Sequence, residues 1–371
     1  MSDGVDLLLP AGTRLVHIGP HKTGSTAVQV AFHEAREQLS AHGVHYAGAG
    51  RRPRLAGWSI GLAGKKYGVA RPPIQHWEGL VAEVEAAGDQ RVCISNEDFG
   101  RATKEQRQRI VDELGGDRVH VVAVARRLDS YLPSQWQERV KAGVTLSWEE
   151  WLRIVLDRDA DERHYERMNV WRAHDVGRLL RNWSEVVGPE RITLIVNDGA
   201  DRTLLPRTFE RLLGLPEGLL APDPSQSNPS LSWAEVELVR AAHRAFEELG
   251  VDRRERDPWT AAALVRHLQG VDLPRATPTT PPFPEWAAEQ VREIGAERAR
   301  AVRESAVRVI GSPDALLARE PLPVGPVDVP PALPQAAVAV AVQALVRATV
   351  ERLPDLLKDD TTPNHEEHRD A

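Results

Sequence analysis

This chain of 371 residues carries one cysteine, Cys93, so no intramolecular disulfide can form and a zinc cluster built on several thiolates is excluded. It has no surplus of basic charge either: 47 Lys and Arg stand against 54 Asp and Glu, a net charge of −7 with a pI near 6.0. A nucleic-acid backbone finds no overall positive surface here, and any basic site has to be local. Long apolar runs are missing as well. The longest, around residues 336–342, is alanine-rich and far short of the ~20 residues that span a bilayer. The opening stretch MSDGVDLLLPAG has no basic segment ahead of its short apolar run, unlike a secretory signal. The expectation is a cytoplasmic protein with no membrane span and no nucleic-acid partner.

What is present is enough apolar residue, 42% of the chain, to build a sizeable core. Four short β-branched runs read as buried strands: TRLVHIG (13–19), RVCISNED (91–98), RVHVVAVARR (118–127) and RITLIV (191–196). Helical patterns separate them, the first placing Val28, Val30, Ala31, Ala35 and Leu39 roughly on one face. Strands alternating with helices predict an α/β fold, P-loop-like and three-layered, with a mostly parallel central sheet flanked by helices. Ligands of such sheets bind at the carboxyl ends of the strands.

Further on, residues 230–250 predict a helix. Ser232 and Glu235 fit a capping box, Leu238, Val239, Ala242, Phe246 and Leu249 form a stripe, and Gly250 can end it. A Pro-rich connector (274–284) leads to a helical pattern over about 285–305. A second Pro-rich segment precedes a C-terminal helix in which Val338, Val342, Leu345, Val346 and Leu353 recur at helical spacing. That helix either docks on the domain or pairs with another subunit to make a homo-oligomer. The organisation expected is an α/β domain over 1–312, a connector and C-terminal helical extension over 313–357, and a disordered polar tail over 358–371.

The segment HIGPHKTGST (17–26) departs from the phosphate-binding pattern G-x-x-x-x-G-K-[ST] in one respect. Gly19 and Gly24 keep the spacing and Ser25 and Thr26 follow, but the lysine has moved three residues back, to position 22. A glycine loop entering a helix is an anion site, and a lysine in its middle predicts that an anion is bound.

GPHKTGSTAVQ resembles the 5′-phosphosulfate loop of sulfotransferases that use 3′-phosphoadenosine-5′-phosphosulfate (PAPS). It is most similar to the loops of Golgi glycosaminoglycan N-sulfotransferases and of bacterial sulfotransferase-family proteins. The resemblance implies that Lys22 meets the sulfuryl group and bridging oxygen, while Thr23, Gly24, Ser25 and Thr26 hold the 5′-phosphate. A second motif of that family is a strand ending in arginine with a serine eight residues on. Here VVAVARRLDSYLPSQW supplies Arg126 and Ser134, and the resemblance implies that they bind the 3′-phosphate. Pro133 is expected early in that helix, where a missing N–H costs little.

The family takes its general base from just beyond the preceding strand. In CISNEDFG that place holds Glu97, with Asp98 behind it, and no histidine. PAPS is then the co-substrate, no metal is required, and the acceptor is a small molecule or glycan. Asn228 and Ser230 could touch the donor, by resemblance to bacterial relatives. Residues 51–77, rich in Gly, Arg, Lys, Trp and His, read as a mobile loop over the acceptor site, with Trp58, Lys65 and His76 as weaker candidates. DRDADE (157–162) lacks the glycine of a calcium loop, and HEEH (365–368) lacks the i,i+4 histidines of a metalloprotease. Two rivals stay open: a divergent P-loop kinase or NTPase using Mg-ATP, with SNED as a metal-binding strand end, and a non-catalytic nucleotide-binding module.

Overall fold

Each of the four β-branched runs forms a strand, β1 Arg14–His17, β3 Arg91–Ser95, β4 Val119–Ala125 and β5 Ile192–Val196. Two three-residue edge strands, β2 Val44–Tyr46 and β6 Arg308–Ile310, complete the sheet. The strand order is β2-β3-β1-β4-β5-β6 and every pairing is parallel. This computed structural model describes residues 7–62, 70–157, 164–221, 230–270 and 278–359, with side chains as far as residue 352. Lys65, Asn228, most of DRDADE and the tail from 360 onward lie outside the described residues.

Burial on both faces explains why the inner strands are apolar along their length. Val16, Val121 and Ala123 point into one cluster, which takes Ile110 and Leu114 from helix Lys104–Leu114, Leu180 and Trp183 from helix Val176–Val187, and Ala299 and Val302 from helix Glu285–Arg303. Leu15, Val122 and Val124 point into the other. There Val28 and Phe32 of helix Ser25–Glu34 meet Phe209 and Leu212 of helix Leu204–Leu213. Helix, sheet, helix is the expected three-layer α/β arrangement.

The described residues divide into two compact units. The sheet belongs to the first, made of Met1–Ser134, Leu152–Ser227 and Pro284–Val324, and the second takes Gln135–Trp151, Asn228–Phe283 and Gly325–Ala371. The second unit is organised around tryptophan. Trp148 lies 5.6 Å from Trp136, 5.8 Å from Trp151 and 5.4 Å from Phe283, and its indole N–H donates to the Pro282 carbonyl.

Three expectations are corrected in detail. Helix Trp233–Glu248 starts at the foreseen capping box, but its buried face carries Val236, Val239 and His243, while Leu249 is 78% exposed. Helix Gln335–Asp359 buries Ala337, Ala341, Ala344 and Ala348, and Val338, Val342 and Val346 face outward. Small residues let this helix lie close to the helical segments Thr260–Val265 and Arg266–Gly270. Finally, the helix after β4 begins at Leu128, so Pro133 is its sixth residue and removes a real i→i−4 bond.

Candidate active site

Beyond β1 the chain keeps its hold on β4. The Ile18 amide donates to Val122 and the Val124 amide donates to the Gly19 carbonyl. Gly19 then turns at φ +77°, where a Cβ would stand 2.7 Å from the Cβ of Glu97. The glycine is required twice, by conformation and by the approach of the strand beside it.

Lys22 has φ 66°, alone among the described non-glycine residues in the left-handed region. Such a conformation costs about 1–2 kcal/mol and is stored where the surroundings enforce it. The surroundings here are explicit. Arg126 Nη1 donates to the Lys22 carbonyl at 2.9 Å, and Asn197 Nδ2 donates to the Thr23 carbonyl at 3.1 Å. Both carbonyls are thereby tied to the ends of β4 and β5. The Thr23 hydroxyl donates to the Pro20 carbonyl at 2.7 Å and lies 3.4 Å from the Ser25 hydroxyl, both side chains buried. Thr23 therefore shapes the loop from within, whereas Gly24 and Thr26 are exposed.

Gly24, at φ 101°, is the N-cap of helix Ser25–Glu34, and among the described residues no side chain caps that helix. Its first N–H groups and the positive end of its dipole are what an anion would meet. Arg126 also donates through Nε to the Ser130 hydroxyl at 2.8 Å. Ser134 lies one turn beyond Ser130 on the same helix face, partly exposed. Among the described residues no hydrogen bond joins Ser134 to Arg126.

The acidic strand end is held from both sides. Asn96 caps the turn by accepting from the Asp98 amide. Arg52 Nη1 meets Glu97 Oε2 at 2.7 Å, and His21 Nε2 meets Asp98 Oδ1 at 3.1 Å. Burial pushes the Glu97 carboxyl up, but His21, Arg52 and a hydrogen bond from Gln29 outweigh it and hold Glu97 below the usual carboxylate range. Burial is likewise outweighed at Asp98, mainly by the His21 hydrogen bond, and its pKa falls to about 2. Both groups are ionised at neutral pH.

Arg52 reaches Glu97 because residues 51–62 are held against the end of β3, where the Asn96 side chain donates to the Pro53 carbonyl at 3.3 Å. They include helix Arg54–Ser59, whose Gly57 is so close that a Cβ would sit 2.5 Å from the Asn96 side-chain Nδ2. Trp58 is partly buried in this helix, His76 is exposed on helix Gln75–Ala86, and Ser230 is exposed in the second unit. Arg52, His21 and Asn197 are additions to the residues expected from sequence. Their signals were present: a basic RRPR run, a histidine inside the glycine loop, and an asparagine at the carboxyl end of β5.

No protein-family model matches the chain, and no curated protein matches it. Among solved structures, the chain is similar to a sulfotransferase from Alicyclobacillus acidocaldarius, with 15% sequence identity and a TM-score of 0.40, over 65% of this chain and 96% of that one.

Proposed function

We propose that the chain is a PAPS-dependent sulfotransferase, which moves a sulfuryl group to a hydroxyl or amine of a carbohydrate, lipid or secondary-metabolite acceptor. The observation that carries this reading is the loop itself. Lys22 is held in a left-handed conformation at its centre, ahead of an uncapped helix N-terminus, by an arginine at the end of β4. Both halves of the sequence resemblance, the loop and Arg126, thus act on one backbone turn.

In this reading PAPS supplies the activated sulfuryl group. The loop N–H groups, Gly24 to Thr26, hold its 5′-phosphate, and Lys22 stabilises the charge left on the oxygen that separates from sulfur. Arg126, with Ser134 on the adjoining helix, receives the 3′-phosphate. Glu97 takes the acceptor's proton. Because it is a weak base, that transfer comes late, once bonding to sulfur has made the acceptor group acidic. Arg52 and His21, at the two carboxylates of NED, disfavour the Mg²⁺-binding role that a kinase or NTPase would give this strand end.

The experiment is thermal stabilisation by adenosine 3′,5′-bisphosphate, the expected product, against ATP and ADP with and without Mg²⁺. A ligand at ~100 times its Kd adds ~2.7 kcal/mol of stability. Stabilisation by the bisphosphate without metal, lost in Arg126→Ala, is the expected result. Stabilisation by Mg-ATP alone would give the site to a nucleotide hydrolase or kinase.

A further inference from the structure

The first unit holds a cavity of about 640 Å³ whose chemistry the sulfuryl-transfer reading leaves unused. It lies among helix Tyr165–His174, the start of helix Val176–Val187 and helix Glu285–Arg303. Its walls carry five arginines, Arg167, Arg172, Arg178, Arg181 and Arg298, against two carboxylates, Asp175 and Glu297. Five minus two leaves three positive charges in one small space, in a chain whose net charge is −7.

Some of these guanidinium groups are already engaged. Arg178 donates to the Trp171 carbonyl at 2.6 Å and pairs loosely with Asp175, and Arg167 donates to the Val155 carbonyl at 3.1 Å. Arg172 and Arg181 are exposed, and among the described residues no ion pair holds either. Arg181 runs back across the helix start over Gly177, where a Cβ would stand 3.3 Å from its Nη1 and 3.1 Å from the Ala301 Cβ. The glycine thus makes room for both the guanidinium and the facing helix.

Arg298 is the fifth arginine of the wall and its most buried. It is 5% exposed, its Nη1 donates to the Arg126 carbonyl at 2.9 Å, and its buried Nε has no partner among the described residues. That nitrogen is closed off from the cavity, so what Arg298 lends a ligand is positive charge from behind the wall. Trp171 spends its indole N–H on the Val155 carbonyl at 2.7 Å, so what it can offer the cavity is ring surface.

We propose that this cavity binds the anionic group of a small, sugar-sized ligand, a carboxylate or sulfate ester, and that under the sulfuryl-transfer reading this ligand is the acceptor. The volume is that of a small-molecule site, and a planar fork of N–H donors matches an oxyanion's paired oxygens. The cavity joins the loop through Arg298 to the Arg126 carbonyl and Arg126 to the Lys22 carbonyl, two hydrogen bonds in series.

The test is calorimetric titration of the full chain at low salt with glucuronate and glucose 6-sulfate, against glucose as the neutral probe. It uses wild type and the double variant Arg172→Gln/Arg181→Gln, both sites exposed enough to leave the fold intact. Wild type is expected to bind one or both anionic sugars at least ~10-fold more tightly than glucose, and the double variant to lose roughly that factor, in keeping with charge-assisted hydrogen bonds. The tighter of the two names the anionic group. Adenosine 3′,5′-bisphosphate is expected to bind both proteins equally. Equal binding of glucose and the anionic sugars, or unchanged affinity in the double variant, overturns the assignment. So does a fall in bisphosphate affinity, which would make the cavity part of the nucleotide site. If the bisphosphate binds neither protein while the sugars bind through Arg172 and Arg181, sulfuryl transfer fails and the anion site stands.

Discussion

Gly19 and Glu97 touch across the ends of neighbouring strands, at a distance that leaves no room for a side chain on the first. An added Cβ would stand 2.7 Å from the glutamate's Cβ and 2.9 Å from its Cα. Gly19→Ala is expected to destabilise the protein by at least ~2 kcal/mol, since a positive φ and overpacking each add a cost. Gly88→Ala is the control. It shares a positive φ, 56°, with open space around it, and should lose only ~1 kcal/mol. Urea unfolding of the two variants separates the steric part from the conformational one.

Replacing Arg52 by Met removes one of the partners that hold Glu97 down. The carboxyl is then expected to titrate at higher pH, with burial less opposed. Carbon-13 NMR of the Glu97 carboxyl measures this directly, without an acceptor in hand. Should Glu97 be the base, the acid limb of a later pH–rate profile moves up in the same variant. A Glu97 titration unmoved by Arg52→Met would mean that the 2.7 Å pair does not govern this carboxylate.

Asp98 ties stability to acid in a definite window. Its folded pKa is about 2, against an ordinary aspartate value of 3.8. The folded form therefore binds the proton less readily than the unfolded one. The stabilisation is fully present above about pH 4, amounts to about 2 kcal/mol, and is lost as pH falls toward 2. Asp98→Asn should be less stable than wild type at pH 5, with the gap narrowed by about 1 kcal/mol at pH 3. Denaturant unfolding at the two pH values reads the difference.

The C-terminal helix offers a sharp pair. Ala344 is fully buried, and Val346, two residues on, is 55% exposed. Ala344→Leu is expected to cost about 1–3 kcal/mol through overpacking, while Val346→Ser should stay within about 0.5 kcal/mol. Melting curves that ranked these two in the opposite order would refute the packing of the helix through its alanine face.

That helix also marks where sequence reading ends. Its period was legible, but hydropathy favoured valine over alanine as the inner face, and close packing selects by size. Four strands could be read because burial on both faces makes continuous apolar runs. VHY and RVI could not, being three residues long, at sheet edges and mixed in polarity. The loop's place between β1 and a helix was legible from its glycine spacing, and Arg126 drew notice through the family resemblance, which did not foretell its bond to the Lys22 carbonyl. Arg52, His21 and Asn197 act through contacts 45, 77 and 174 residues apart in the chain, and no local pattern encodes such a meeting.

The two guanidinium bonds that run from Arg298 to the Arg126 carbonyl, and from Arg126 to the Lys22 carbonyl, tie the loop near residue 20 to a segment near residue 300. A ribosome making this protein releases the glycine loop early and the segment bearing Arg298 only near residue 300. Until then the Arg126 carbonyl lacks the Arg298 donor. The loop thus acquires its full support only when most of the chain exists, and a fragment ending before helix Glu285–Arg303 would carry every residue of the loop without the last of the groups that brace it.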